Sequence, residues 1–189
     1  MNIVCTGGLG FIGKRLVARL EKEASVLVCD LPNYDLRNYD CTLEAISGAD
    51  VVYHLAAIVG SEKYLHGSKE AELNTMQSNL IIDANVFRAC REAKVKKIIY
   101  VSSGAVYPQE KQKYLGTVFS EEDTKVVDPD GGYGWAKLMG EKQLGWMSNV
   151  GIVRLFNVYG VGEVNGHVVS DLIRKVVKYP EKPFEIFGG

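Results

Sequence analysis

No stretch of this sequence approaches the ~18 consecutive apolar residues that a membrane-spanning helix needs, and no leader segment precedes its first strand-like run. A soluble protein without a membrane partner is expected. An excess of charge of one sign is also lacking. With 22 basic and 23 acidic residues, no global field recruits nucleic acid or an anionic surface, so an anionic ligand has to be held locally. The longest basic cluster, "KVKK" from Lys94, reads as a helix-to-strand loop. Cysteine is scarce: Cys5, Cys29, Cys41 and Cys90 form no C-x-x-C pair, and two of them sit in apolar runs. Buried reduced thiols are expected rather than a disulfide framework or zinc site, which fits a reducing cytoplasm. Of the three histidines, His54 lies in an apolar run and reads as a packed strand residue. His66 and His167 stand without partners at ligand spacing, so no metal site is implied.

What is present is a regular alternation. At 189 residues the chain is sized for one main domain, at roughly 100 to 200 residues per domain. Apolar runs "NIVCT", "SVLVCD", "VVYHLAA", "KIIYVSS" and "GIVRLF" alternate with helical patterns from about Phe11, over Cys41 to Ser47, Glu70 to Ala93 and Tyr133 to about Met147. Nearly continuous apolar strands are buried on both faces, which predicts a parallel sheet covered by helices: a doubly wound α/β, Rossmann-like fold. The interval from Asp30 to Asp50 is too short for helix, strand and helix, so one edge strand should be missing. The polar stretch from Pro108 to Gly132 is too long for an ordinary connection and is a candidate lid or substrate-facing segment.

The glycines of "TGGLGFIG", Gly7, Gly10 and Gly13, follow the first strand and open the first helix. Such a turn brings backbone N–H groups and the positive end of a helix against a pyrophosphate. Asp30, at the end of the second strand, is placed to accept hydrogen bonds from an adenosine ribose. Together they point to dinucleotide binding. In "YGWAK", Tyr133 and Lys137 are four apart and share a helix face, so a lysine can stabilise a phenolate and lower the tyrosine pKa. "SSGAVYP", from Ser102, brings hydroxyls to the same carboxyl-end crevice.

Taken in order, "TGGLGFIG", "DLR" at Asp35, "HLAA" at His54, "NLIIDANVF" at Asn79, "SSGAVYP", "YGWAK" and "RLFNVYG" at Arg154 resemble the extended short-chain dehydrogenase/reductase family, in particular its nucleotide-sugar epimerases and dehydratases. The resemblance spans essentially the whole chain. It implies an NAD-dependent enzyme acting on a nucleotide-diphosphate sugar, with Ser103, Tyr133 and Lys137 as the catalytic set. It also implies a cofactor site drawn from Gly7, Gly10, Phe11, Ile12, Gly13, Asp30, Asp35, Leu36, Leu55, Ala56, Ala57, Asn79, Tyr133 and Lys137. Ser103 and Asn157 would meet the substrate. Counting back from "VYP" aligns Ser103, rather than Ser102, with the family's hydroxyl.

By this resemblance Tyr133 takes the proton of a sugar hydroxyl, most often at carbon 4, while hydride passes to NAD; return to the opposite face gives an epimer. A reductase or decarboxylase on the same scaffold, or a catalytically silent NAD-binding module, are the alternatives. The family's 4,6-dehydratases carry an Asp-Glu pair after the hydroxyl, where this chain has Gly104 and Ala105. Its 3,5-epimerase branch carries cysteine where Ala105 stands. Asp30 would repel a 2′-phosphate and favours NAD over NADP, with Arg37 the one nearby cation. Members often dimerise through the helices that correspond to Glu70–Ala93 and Tyr133–Met147, which makes a homodimer a candidate partner arrangement. Residues 1–160 are expected to form the NAD-binding domain and 161–189 the beginning of a substrate lobe. In the family, the strand and glycines that match "PFEIFGG" lead on to an arginine that clasps the diphosphate. Poor turnover by this chain is therefore expected.

Overall fold

The computed structural model describes residues 1–114, 116–163 and 168–182. Five strands form one parallel sheet: β1 (Asn2–Thr6), β2 (Ser25–Cys29), β3 (Val51–His54), β4 (Lys97–Ser103) and β5 (Val150–Leu155), in the order β2-β1-β3-β4-β5. The order reverses between β1 and β3, where an open α/β sheet places its ligand crevice at the carboxyl ends of the strands. Register sets the crevice floor, with Thr6 beside both Cys29 and His54, and Ser103 beside Leu155. Among the described residues no strand forms between β2 and β3, so β2 is an edge, as the short Asp30–Asp50 interval predicts.

Burial follows position in the sheet. Central β1 is buried along all but its first residue, whereas edge strands β2 and β5 are half-exposed. Burial on both faces therefore holds for the centre and fails at the edges, which lack a covering neighbour on one side.

The helices are α1 (Phe11–Leu20), α2 (Tyr39–Ile46), α3 (Glu62–His66), α4 (Lys69–Glu92), α5 (Gln109–Gln112), α6 (Gly131–Leu144) and α7 (Val168–Lys178). The Ser68 side chain caps α4 by accepting from the Ala71 N–H, and Glu70 and Glu72 sit in its first turn against the positive helix end. The Asn38 side chain caps α2 in the same way, accepting from the Cys41 N–H. Val86, Phe87 and Cys90 of α4 meet Val4, Val52, Ile98 and Tyr100 of the sheet in the main core, and α6 packs beside α4.

The Pro108–Gly132 stretch is not a plain loop. It carries α5 and a 3-10 turn over Glu121–Lys125, whose capping residue Ser120 exchanges hydrogen bonds with Asp123. Arg154 of β5 donates to the Glu121 carbonyl at 3.2 Å and to Thr124 Oγ1 at 3.3 Å, tying the segment to the sheet. Of the expected lobe beginning at 161, α7 is described and buries no residue. The "PFEIFGG" segment and His167 lie outside the described residues. No described helix is long and apolar enough to cross a membrane.

Candidate active site

The carboxyl ends of the strands open into a cleft of about 880 Å³ that runs from Gly7 and Asp30, past Leu55–Ala57, to Ser103, Tyr133, Lys137 and Asn157. At one end stands the glycine turn. Gly7 has φ +68°, and a Cβ there would lie 2.7 Å from the Ala56 nitrogen. A Cβ on Gly13 would lie 2.2 Å from the Gly7 carbonyl oxygen, so the helix presses directly on the turn. Gly10 caps α1 with no side-chain acceptor, and no acid occupies the first turn. That leaves backbone N–H groups and the positive helix end to meet an anion.

Asp30 is fixed by two backbone donors: the Leu9 N–H reaches Oδ2 at 3.0 Å and the Leu31 N–H reaches Oδ1 at 2.9 Å. Each carboxylate oxygen retains a lone pair for a ribose hydroxyl. Asp35 is a bidentate partner of Arg37, at 2.9 and 2.7 Å, which holds its carboxyl below the usual range. Phe11, Ile12, Leu36, Leu55, Ala56 and Ala57 line the same end.

Asn79 is placed differently. Its amide oxygen accepts from the Ile58 N–H at 2.7 Å and its nitrogen donates to the Ile58 carbonyl at 3.1 Å. It does not line the cleft but pins the chain leaving β3, so its effect on a ligand passes through the Leu55–Ile58 backbone.

At the other end, Ser103 ends β4 and Tyr133 stands in the first turn of α6. The Ser103 hydroxyl accepts from the Ala105 N–H at 3.1 Å, and Ser103 and Tyr133 line the same end of the cleft. Ser102 points to the opposite face of the strand, where its hydroxyl donates to Glu141 Oε1 at 2.6 Å in the interior. The two serines therefore have different partners, Ser102 in the interior and Ser103 at the cleft.

Lys137 departs from expectation. Its ammonium donates to the Val101 carbonyl at 3.0 Å and lies 4.6 Å from the centre of the Tyr100 ring. Burial, not the lysine, governs Tyr133, whose pKa is pushed up, with the Ser103 hydrogen bond opposing it. The expected lowering by Lys137 is therefore absent in the protein alone, because the lysine's charge is directed at Val101 and Tyr100. Burial pushes the Lys137 pKa down, opposed by Asp83 and Glu141.

Several groups near the site escape motif reading. His54 is buried, with Nδ1 2.7 Å from Thr6 Oγ1 and Nε2 3.0 Å from Asp83 Oδ1. Arg154 clasps Glu141 at 2.9 and 2.7 Å. His66 is not partnerless, since Nδ1 lies 2.6 Å from Glu72 Oε1. The buried stripe of α4 includes Asn79, Ile82, Asp83, Val86, Phe87 and Cys90. An acid on that apolar stripe is the one sequence signal that marks Asp83. The cysteines are free, three of them buried, and burial pushes the Cys5 thiol up to about 11 and that of Cys90 to about 12. Among the described residues, no three His, Cys, Asp or Glu side chains converge to hold a metal ion.

Residues 3–189 match the family described as the NAD dependent epimerase/dehydratase family. The chain is 29% identical to a GDP-mannose 3,5-epimerase of Oryza sativa subsp. japonica, over 85% of its own length and 47% of that protein's. It spans about half the length of that curated relative. The UDP-glucose 4-epimerase of Thermus thermophilus, solved in complex with NAD, superposes with a TM-score of 0.74 at 25% identity, covering 92% of this chain and 60% of that one. The GDP-L-fucose synthetase of Naegleria fowleri, solved bound to NADP, shares the fold with a TM-score of 0.75 at 24% identity, covering 100% and 66%.

Proposed function

The chain belongs to the NAD dependent epimerase/dehydratase family, and from that premise we propose that it binds NAD and acts as a nucleotide-diphosphate-sugar epimerase, by transient oxidation of a sugar hydroxyl, most simply the one at carbon 4. The observation that carries this reading is one continuous cleft with the glycine turn and Asp30 at one end and Ser103, Tyr133 and Lys137 gathered at the other.

The residues present fit a dinucleotide. Gly7 and Gly13 leave no room for a Cβ, α1 offers unsatisfied N–H groups, and Asp30 is fixed for a ribose. When bound, the cofactor supplies a hydride acceptor and, in the return step, a hydride donor. Tyr133 takes the proton from the substrate hydroxyl through its phenolate oxygen. Ser103 donates a hydrogen bond to the oxygen that becomes a carbonyl, stabilising its developing negative charge. Lys137 contributes a positive charge beneath the cleft floor. NAD is favoured over NADP, because Asp30 faces the ribose end and the one adjacent cation, Arg37, is engaged by Asp35. The rice relative is named a 3,5-epimerase, yet Gly104 and Ala105 offer no proton-transfer group beside Ser103. Loss of water or inversion next to the ketone therefore lacks its acid and base here.

A second reading, NAD binding without turnover, draws on Arg154, which is engaged by Glu141, Glu121 and Thr124. The experiment is a product analysis with NAD and a panel of nucleotide sugars, beside Tyr133→Phe. An epimer of unchanged mass, lost in Tyr133→Phe while NAD binding persists, supports the proposal. A product lighter by one water contradicts it. NAD binding with no turnover favours the second reading.

A further inference from the structure

We propose that Asp83 of α4 is the buried counter-charge and positioning residue of Lys137, acting across the Tyr100 ring. Lys137 is 1% exposed and Asp83 0%. An isolated buried charge is costly, so each buried ion must have a compensating partner. The Tyr100 hydroxyl donates to Asp83 Oδ2 at 2.6 Å, and His54 Nε2 lies 3.0 Å from Asp83 Oδ1. An ionised carboxylate accepts at both oxygens, which these two partners satisfy when His54 carries its proton on Nε2.

The groups around Lys137 leave Asp83 as its partner. From α6, Glu141 opposes the burial of Lys137, but its charge is matched by the two-point clasp of Arg154 and its Oε1 also accepts from Ser102. Tyr133, one turn earlier on α6, is held neutral by burial. From β3, His54 is also neutral, because burial outweighs Asp83. With Nε2–H donating to Asp83, Nδ1 accepts from the Thr6 hydroxyl at 2.7 Å, and Thr6 Oγ1 accepts from the Ala56 N–H at 3.2 Å. From β4, Tyr100 contributes its ring face, 4.6 Å from the ammonium. Its hydroxyl donates to a carboxylate, which enriches the ring in electron density toward the cation.

Asp83 and Lys137 therefore remain as one negative and one positive buried charge. The chain makes room for them, since a Cβ on Gly140 would lie 2.4 Å from the Tyr100 hydroxyl and 2.7 Å from Asp83 Oδ2. The same network, through His54 and Thr6, ends at Ala56, whose backbone flanks Gly7. Hydrogen bonds run unbroken from Tyr100 to Ala56, the lysine joining through the Tyr100 ring face and Ala56 packing against Gly7.

Calling Lys137 a cofactor-side group rests on the proposed function; its coupling to Asp83 does not. The test is a proton titration of Lys137 in the full chain without cofactor, read from lysine ε-carbon NMR and assigned by the signal lost in Lys137→Met. In Asp83→Asn the midpoint should fall by at least one pH unit, a tenfold loss of proton affinity, and Asp83→Glu should restore most of it. A midpoint in Asp83→Asn equal to the native one overturns the inference. Should Asp83→Asn fail to fold, Asp83→Ser carries the same measurement, and a Lys137 midpoint equal to the native one overturns the inference there too. A chain that shows these shifts but binds no NAD would overturn the proposed function and leave the coupling standing.

Discussion

Single atoms decide the chemistry at Gly13 and Tyr133. A methyl at Gly13 would meet the Gly7 carbonyl oxygen at 2.2 Å and Gly8 Cα at 2.7 Å, all rigid backbone. Gly13→Ala must therefore lift α1 away from the turn. It should cost roughly 1–3 kcal/mol of stability, the usual range for overpacking, and weaken NAD binding at least tenfold; urea unfolding and calorimetry measure the two effects. Wild-type NAD affinity in Gly13→Ala would show that the turn does not hold the pyrophosphate. For Tyr133 the pH dependence has a definite sign. Burial raises its pKa above the ordinary value, so the phenol stays protonated through neutrality and ionises at higher pH than a free tyrosine. The ultraviolet difference between native protein and Tyr133→Phe should show the phenolate appearing at higher pH than free tyrosine gives it. Where the phenolate is limiting, the oxidation rate should rise tenfold per pH unit. Phenolate signal at lower pH than free tyrosine gives would mean that something other than burial governs the ring.

The element that sets the site is α6, and its glycines explain how. A Cβ on Gly134 would come within 2.5 Å of the Ala105 carbonyl, one on Gly132 within 2.4 Å of the Glu72 carbonyl, and one on Gly140 against Tyr100. These positions let α6 press onto the turn after β4 and onto α4, which brings Tyr133 to Ser103. Gly134→Ala should displace the first turn of α6. A loss of roughly 1–3 kcal/mol is expected, with Tyr133-dependent activity falling more than NAD affinity; an equal loss of both would mean that the helix shift reaches the whole cleft. Legibility in the sequence divides along the same line. The glycine turn, Asp30, "SSGAVYP" and "YGWAK" were readable because each motif is local, with its residues within one turn or one helix face. The sequence pattern starts α6 at Tyr133 where the structure starts it at Gly131, because two glycines in a row carry loop propensity that tertiary contact with Glu72 overrides. Asp83, Glu141 and the direction of the Lys137 ammonium depend on partners far along the chain. Periodicity can place an acid on a buried stripe, but it cannot name the tyrosine and histidine that satisfy it.

Across the whole molecule, the two ends of the cleft are unequally equipped to hold anions. The glycine end needs no cation, because α1 presents N–H groups and the positive end of its backbone dipoles to a pyrophosphate. At the Asn157 end a second diphosphate, that of a nucleotide sugar, would require charge-assisted donors to offset its desolvation. Among the described cleft-lining residues the lysines and arginines are Lys137 and Arg37. Lys137 lies buried beneath the floor, bonded to Val101, and Arg37 is paired with Asp35 at the ribose end. Arg154, on the neighbouring strand, is spent on Glu141 and the Glu121–Lys125 turn. Around β5 and α7, Phe156, Tyr159, Ile173 and Val177 are exposed, while of the α7 cations Arg174 donates to the Glu163 carbonyl and Lys175 pairs with Asp171. This polypeptide should therefore bind NAD at least tenfold more tightly than any uridine or guanosine diphosphate sugar, and its affinity for the sugars should be nearly unchanged by Arg154→Gln. Calorimetry with NAD first and nucleotide sugars second measures both. A nucleotide sugar bound more tightly than NAD, with affinity lost in Arg154→Gln, would mean that Arg154 leaves Glu141 to clasp the diphosphate, and that the 3-10 turn tied to it moves when substrate arrives.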